Sequence, residues 1–258
     1  MKKLIFLFFL FFKLLPAQSY NTIIEYIVKN HEGDANAILI SNNQENIFFH
    51  CKSNLDIDYE KLDKVNYNDI RPDLIFKFDK KSNTYFQTMP LFLAGDPGFS
   101  SELAKDMAPA PKWDITKEKK IILDYNCIKA TTNFRGRIWT VWFTTDVSGD
   151  VFPWKLRGLP GAILEVSESK NILSLKATKI VLNANYLQPK ILENLFSKFS
   201  SNATDYKTVI EFDNKGLKDI QNKQIANYPA GTVFLEIPNI REGLLEKTFV
   251  WEEEPKKP

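Results

Sequence analysis

Arg137-Ile138-Trp139-Thr140-Val141-Trp142-Phe143-Thr144 alternates at period two. Trp139, Val141 and Phe143 share one face of the implied strand, and Ile138, Thr140 and Trp142 share the other. Bulk on both faces predicts a strand that is central or covered on both sides. The same period extends outward. Upstream, Ile121, Leu123, Tyr125 and Cys127 read as one face of a strand, with Asp124 and Asn126 on the other. Downstream, 162–166 and 172–181 are apolar runs joined by the polar turn 167–171. Residues 21–29 alternate as well. Two hairpins are predicted, 37–40 with 47–51 and 74–78 with 84–89, each closed by a polar turn.

Between the hairpins, 52–73 is polar and reads as irregular. Residues 90–118 hold four prolines, which predicts a connection with at most a helical turn at 101–107. Ile191, Leu192, Leu195, Phe196 and Phe199 fit one helical face after Pro189. Tyr206, Val209, Ile210, Leu217 and Ile220 suggest a second helix, and 232–237 a last strand. The expected class is α+β, mainly antiparallel β. It takes the form of a single curved sheet or open barrel with covering helices.

Lys2-Lys3 precedes nine apolar residues, Leu4 to Phe12, too few to span a bilayer. With Ala17 and Ser19 at a cleavage point, residues 1–19 read as a signal peptide. A single β-rich domain, 20–258, is expected to follow and to end in the polar tail 252–258. The 258-residue chain carries 34 basic and 32 acidic residues, and the leader removes Lys2, Lys3 and Lys13. Neither nucleic acid nor an anionic membrane is implied, and no second apolar stretch reads as membrane-spanning. The expected location is exported, periplasmic or associated with an outer membrane. Export permits a disulfide, so Cys51 and Cys127 are either bridged or two buried thiols.

No nucleophile elbow, phosphate loop, Cys-x-x-Cys or metal-ligand spacing is present. No metal and no cofactor are therefore expected. Asp146, Asp150 and Glu165 are the carboxylates from which a hydrolase would be built. The unusual stretch is 113–165. It holds Trp113, Trp139, Trp142 and Trp154 of the five tryptophans, and Arg135, Arg137 and Arg157 of the five arginines. Arginine stacks on aromatic rings and grips carboxylates through two donors. Arg135, Arg137, Trp139, Trp142, Trp154 and Arg157 are thus the candidate ligand contacts, and bracing of a corner is the alternative. Gly158, Pro160 and Gly161 read as a sharp structural turn, needing positive φ or close approach at the glycines.

Three motifs carry a resemblance. They are Asp124-Tyr125-Asn126-Cys127-Ile128-Lys129-Ala130, the run Phe134-Arg135-Gly136-Arg137 leading into the opening strand, and Pro153-Trp154-Lys155-Leu156-Arg157-Gly158-Leu159-Pro160-Gly161-Ala162-Ile163-Leu164-Glu165. Together they resemble the GLPGLI family of exported Bacteroidetes proteins. Ala162 stands where the family's name-giving motif has its second Leu, and Asp124 where a Gly is usual. The resemblance implies export and no activity. A looser analogy is to lipoprotein-carrier domains of the LolA type, in which helices cover the concave face of a curved sheet.

The expected function is a non-enzymatic envelope protein that binds a hydrophobic or amphipathic small ligand, or an extended peptide. The alternatives are an assembly factor for an outer-membrane protein, docking through an edge at 158–166, and the carboxylate hydrolase.

Overall fold

The computed structural model describes residues 21–30, 33–51, 70–89, 93, 96, 99–184, 189–229, 232 and 241–252. The expected leader 1–19, most of the irregular stretch 52–73, all but the first residue of the last strand 232–237, and the tail beyond 252 lie outside them.

The chain forms one open, curved sheet that is antiparallel for most of its length. Its strands are β1 (Asn21–Asn30), β2 (Gly33–Ser41), β3 (Glu45–Cys51), β4 (Ile70–Asp79), β5 (Thr84–Thr88), β6 (Leu103–Asp106), β7 (Asp114–Ile122), β8 (Tyr125–Phe134), β9 (Arg137–Thr144), β10 (Asp150–Val151), β11 (Gly161–Glu168), β12 (Leu173–Ala184) and β13 (Thr204–Asp205). Helices α1 (Lys190–Phe199) and α2 (Tyr206–Ala226) come late. The spatial order is β13-β6-β5-β4-β3-β2-β1-β12-β11-β9-β8-β7, with β10 beside β11. Two meanders, β1–β6 and β7–β12, are joined where β1 pairs with β12, Tyr26 opposite Ala177. That long-range pairing makes the chain one unit.

The sheet buries two different faces. On the inner face, Tyr26, Leu39, Phe48, Phe78 and Tyr85 of the first meander meet Trp139, Val141, Phe143 and Val166 of the second in one core. The Tyr26 hydroxyl crosses the sheet to donate to the Ile163 carbonyl at 2.6 Å. On the outer face, Ile23, Ile38, Ile40, Ile47, Phe49 and Ile75 lie under Leu192, Leu195 and Phe196 of α1. The second half of β2, 37–41, and β3 from Asn46 on are therefore buried on both sides, where they read as near-continuous apolar runs.

Several expectations change. β9 is central, one of the two expected possibilities, and its second face is partly open: Ile138 is 56% exposed. Trp142 is half-buried under the Lys120 ammonium, 4.3 Å from its ring. The stretch 121–127 is not one strand, because Leu123 and Asp124 take φ +48° and +66° and turn β7 into β8. Such a turn matches the twist of a two-residue hairpin.

The expected helical turn at 101–107 is instead β6, paired with β5 from Thr88↔Leu103 to Tyr85↔Asp106. Without it β5 would expose a row of unpaired backbone groups. β11 lies inside the sheet between β9 and β12, so 158–166 is no docking edge. Cys51 and Cys127 are both buried, in separate clusters and unbridged.

The inner face is filled by the chain itself. Phe152, Trp154, Leu156 and Leu159, from the segment between β10 and β11, are all buried in the inner core. The Trp154 ring tilts against Trp139 at 5.0 Å, and Phe152 meets Phe78 edge-on at 5.5 Å. In this protein the motif segment occupies the hollow, and α1 covers the opposite face.

Candidate functional site

A hydrogen-bonded charge cluster is built where five elements end. β6 delivers Asp106, the β8–β9 turn Arg135, the segment after β10 Lys155, the first turn of α2 Tyr206, and a C-terminal strap, 241–252, Glu246. Lys155 is fully buried, and the other four are less than a tenth exposed. Its ammonium donates to Asp106 Oδ2 at 2.8 Å and to Glu246 Oε1 at 2.7 Å. Arg135 Nη2 donates to Asp106 Oδ2 at 2.6 Å. The Tyr206 hydroxyl donates to Glu246 Oε1 at 3.1 Å. Burial, then the negative charge of Glu246, raise the Tyr206 pKa well above its ordinary value, so it remains a donor. Two cations and two carboxylates balance, as burial requires.

The arginine is held on a strained turn, Arg135 at φ +54° and Gly136 at +73°. A Cβ at Gly136 would come within 2.9 Å of Thr248 Oγ1, so the turn presses directly on the strap. The Arg135 carbonyl accepts from Lys247 N at 2.9 Å. Arg137 reaches the same strap from the other side of the turn. It donates to the carbonyls of Glu242, Leu244 and Leu245, and its guanidinium lies 3.5 Å from Glu168.

Above the cluster lies a pocket of about 350 Å³. Arg135, Asp106 and Tyr206 are in its lining, with Met107, Val250 and Trp251 among its apolar parts. Arg135 also stacks on aromatic faces of the strap, with its guanidinium carbon 4.8 Å from the Phe249 ring and 5.2 Å from Trp251. Its Nη1 has no hydrogen-bond partner among the described residues, and its Nε approaches Glu246 Oε2 at 3.1 Å without hydrogen-bond alignment.

The six candidate ligand contacts do not converge. Only Arg135 lines the pocket. Arg137 clamps the strap. Trp139 and Trp154 are inner core, with Trp139 Nε1 donating to the Phe134 carbonyl at 3.1 Å. Trp142 is half-buried, packed against the edge of the inner core and under Lys120. Arg157 sits over the Phe78 ring at 5.0 Å and donates to the Ala108 carbonyl at 3.3 Å. Arg137 is engaged by the strap and Glu168, Trp139 and Trp154 by the inner core, and none of the three lines the pocket, so here they brace the fold.

At the turn, Gly158 and Gly161 take φ +100° and +130°. Asp150 Oδ1 accepts from Gly158 N at 3.0 Å, and Glu165 pairs with Lys120 at 2.6 Å. Asp146, Asp150 and Glu165 are all absent from the pocket lining. Sequence reasoning missed Asp106, Tyr206 and Glu246. It passed over Lys155, whose sign was a lysine between buried Trp154 and Leu156.

Among the described residues, no cluster of His, Cys, Asp or Glu gathers to hold a metal ion. No helix among them is long and apolar enough to cross a membrane. No family model and no curated protein matches the chain. Of solved structures, the fold is similar to PNGF-II in a C2 crystal, with TM-score 0.47, and in a P21 crystal, with TM-score 0.44. Identity is 20% in both. The matches cover 68% and 63% of this chain but only 30% and 28% of PNGF-II. A likeness so loose bears on no activity.

Proposed function

We propose that the protein is an exported, non-enzymatic binding protein of the GLPGLI family that takes an amphipathic small ligand. Its site is the pocket between the end of β6, the start of α2 and the strap. One observation carries this reading. The pocket sets apolar Met107, Val250 and Trp251 around a polar floor of Asp106, Arg135 and Tyr206. An apolar wall with a few placed polar groups is how small-molecule sites are made. The floor's ionisable groups are tied to one another, which suits them to orienting a ligand rather than to moving protons. The hollow of the sheet, the other place for such a ligand, holds Phe152, Trp154, Leu156 and Leu159.

The test is native mass spectrometry of residues 20–258, purified gently from a periplasm. A reproducible adduct is expected, released by organic solvent and lost in Trp251→Ala. A bare mass from several preparations would contradict the reading.

A further inference from the structure

We infer that the polar end of this ligand is an anion, a carboxylate or a similar small oxyanion, seated against Arg135. The inference rests on the pocket being the binding site. A guanidinium carries five N–H donors. In Arg135, Nη2 is committed to Asp106, and Nε is paired with Glu246 without a hydrogen bond. Nη1 is buried, in a side chain only 2% exposed, and has no hydrogen-bond partner among the described residues. Leaving a buried charged donor unmet is costly, and an oxyanion in the pocket would meet it.

Three further observations point the same way. The N-terminus of α2, a 21-residue helix, lies at the pocket through Asp205, Tyr206 and Lys207, with the Lys207 amide already donating to its cap, Asp205 Oδ1, at 2.9 Å. The partial positive charge of a helix start favours an anion. Among the described lining residues, exposed Lys105 and Lys207 stand against one exposed carboxylate, Asp205, which caps α2. Below them, the cluster is itself neutral, with Lys155 and Arg135 balancing Asp106 and Glu246. A cationic ligand end would meet a guanidinium with Nη1 still unbonded, and two lysines against one carboxylate. A neutral hydroxyl or carbonyl end could accept from Nη1, but without the charge assistance that makes a bond to an oxyanion the stronger one.

Decanoate, decyltrimethylammonium and decyl maltoside share one chain and differ in the head. Titrated below their micellar concentrations into residues 20–258, decanoate should bind at least about tenfold tighter than the other two. Its affinity should fall with added salt. Arg135→Lys keeps the charge but loses the fork, and should weaken decanoate alone by about tenfold. If that variant does not fold, Lys105→Ala/Lys207→Ala replaces it. This double variant should weaken decanoate, leave decyl maltoside unchanged and flatten the salt dependence. Equal binding of all three heads, or a preference for the cation, overturns the anion assignment and leaves the pocket reading intact. Decanoate affinity unchanged in the folded variants also overturns it. No binding by any probe overturns the pocket reading, and the inference falls with it.

Discussion

At the residue scale, Gly161 has no room for a side chain. A Cβ there would lie 1.9 Å from the Thr144 carbonyl oxygen, at φ +130°. Gly158 shares the positive φ, but its Cβ would meet Ala110 at an ordinary 3.5 Å. Gly161→Ala should therefore cost about 3 kcal/mol or more, or abolish folding, while Gly158→Ala costs about 1 kcal/mol. Urea unfolding midpoints check this, and equal costs for the two would contradict it.

The cysteines give a second prediction. Burial pushes the Cys127 thiol up to about 11, and Cys51 is fully buried. A thiol reagent at neutral pH should label neither residue in the native protein and both after unfolding without reductant. No labelling after unfolding would mean a bridge.

Glu168 gives a third. Burial works against its charge, but the amides of Lys170 and Ile172, the Ser169 hydroxyl and Arg137 outweigh it and hold its pKa below the usual glutamate value. A depressed folded value stabilises the fold above the unfolded pKa, near 4.5. That stabilisation is lost as pH falls through the folded value. Glu168→Gln should thus destabilise at pH 7, with the difference shrinking in acid. A gap independent of pH would contradict this.

At the scale of elements, the strap is held by one hairpin turn. Arg137 takes three of its carbonyls, the Arg135 carbonyl takes its amides, and Glu246 enters the buried cluster. Removing one partner of a buried ion pair leaves its mates uncompensated. Glu246→Ala should cost about 3–5 kcal/mol. A cost under about 1 kcal/mol in denaturant unfolding would mean that the strap is not integral to the fold.

The elements that sequence made legible are those whose burial alternates. Ile24-Glu25-Tyr26 in β1, Trp139-Thr140-Val141 in β9 and the Leu192, Leu195, Phe196 face of α1 follow their periods. β6 was illegible because four residues among prolines carry no period, and only the open edge of β5 explains them. The break at Leu123-Asp124 was hidden because alternation ran on through the turn. The charge cluster was hidden for another reason: Asp106 and Glu246 are 140 positions apart, and each reads locally as a solvated acid. Arg135 was legible as unusual, but not which of its neighbours it would meet.

At the scale of the whole molecule, the curved sheet has a hollow, and the segment 152–159 fills it with aromatic and aliphatic side chains from its own chain. A ligand would therefore enter at the edge, under the strap, rather than between the two meanders. The tryptophans separate these places. Trp251 borders the pocket, and Trp139 and Trp154 lie in the inner core. The most direct measurement is fluorine NMR of the protein labelled with 5-fluorotryptophan, titrated with decanoate. The Trp251 resonance should shift and saturate while those of Trp139 and Trp154 stay in place. Shifts at Trp139 or Trp154 with Trp251 unmoved would put the ligand in the hollow and contradict the edge pocket.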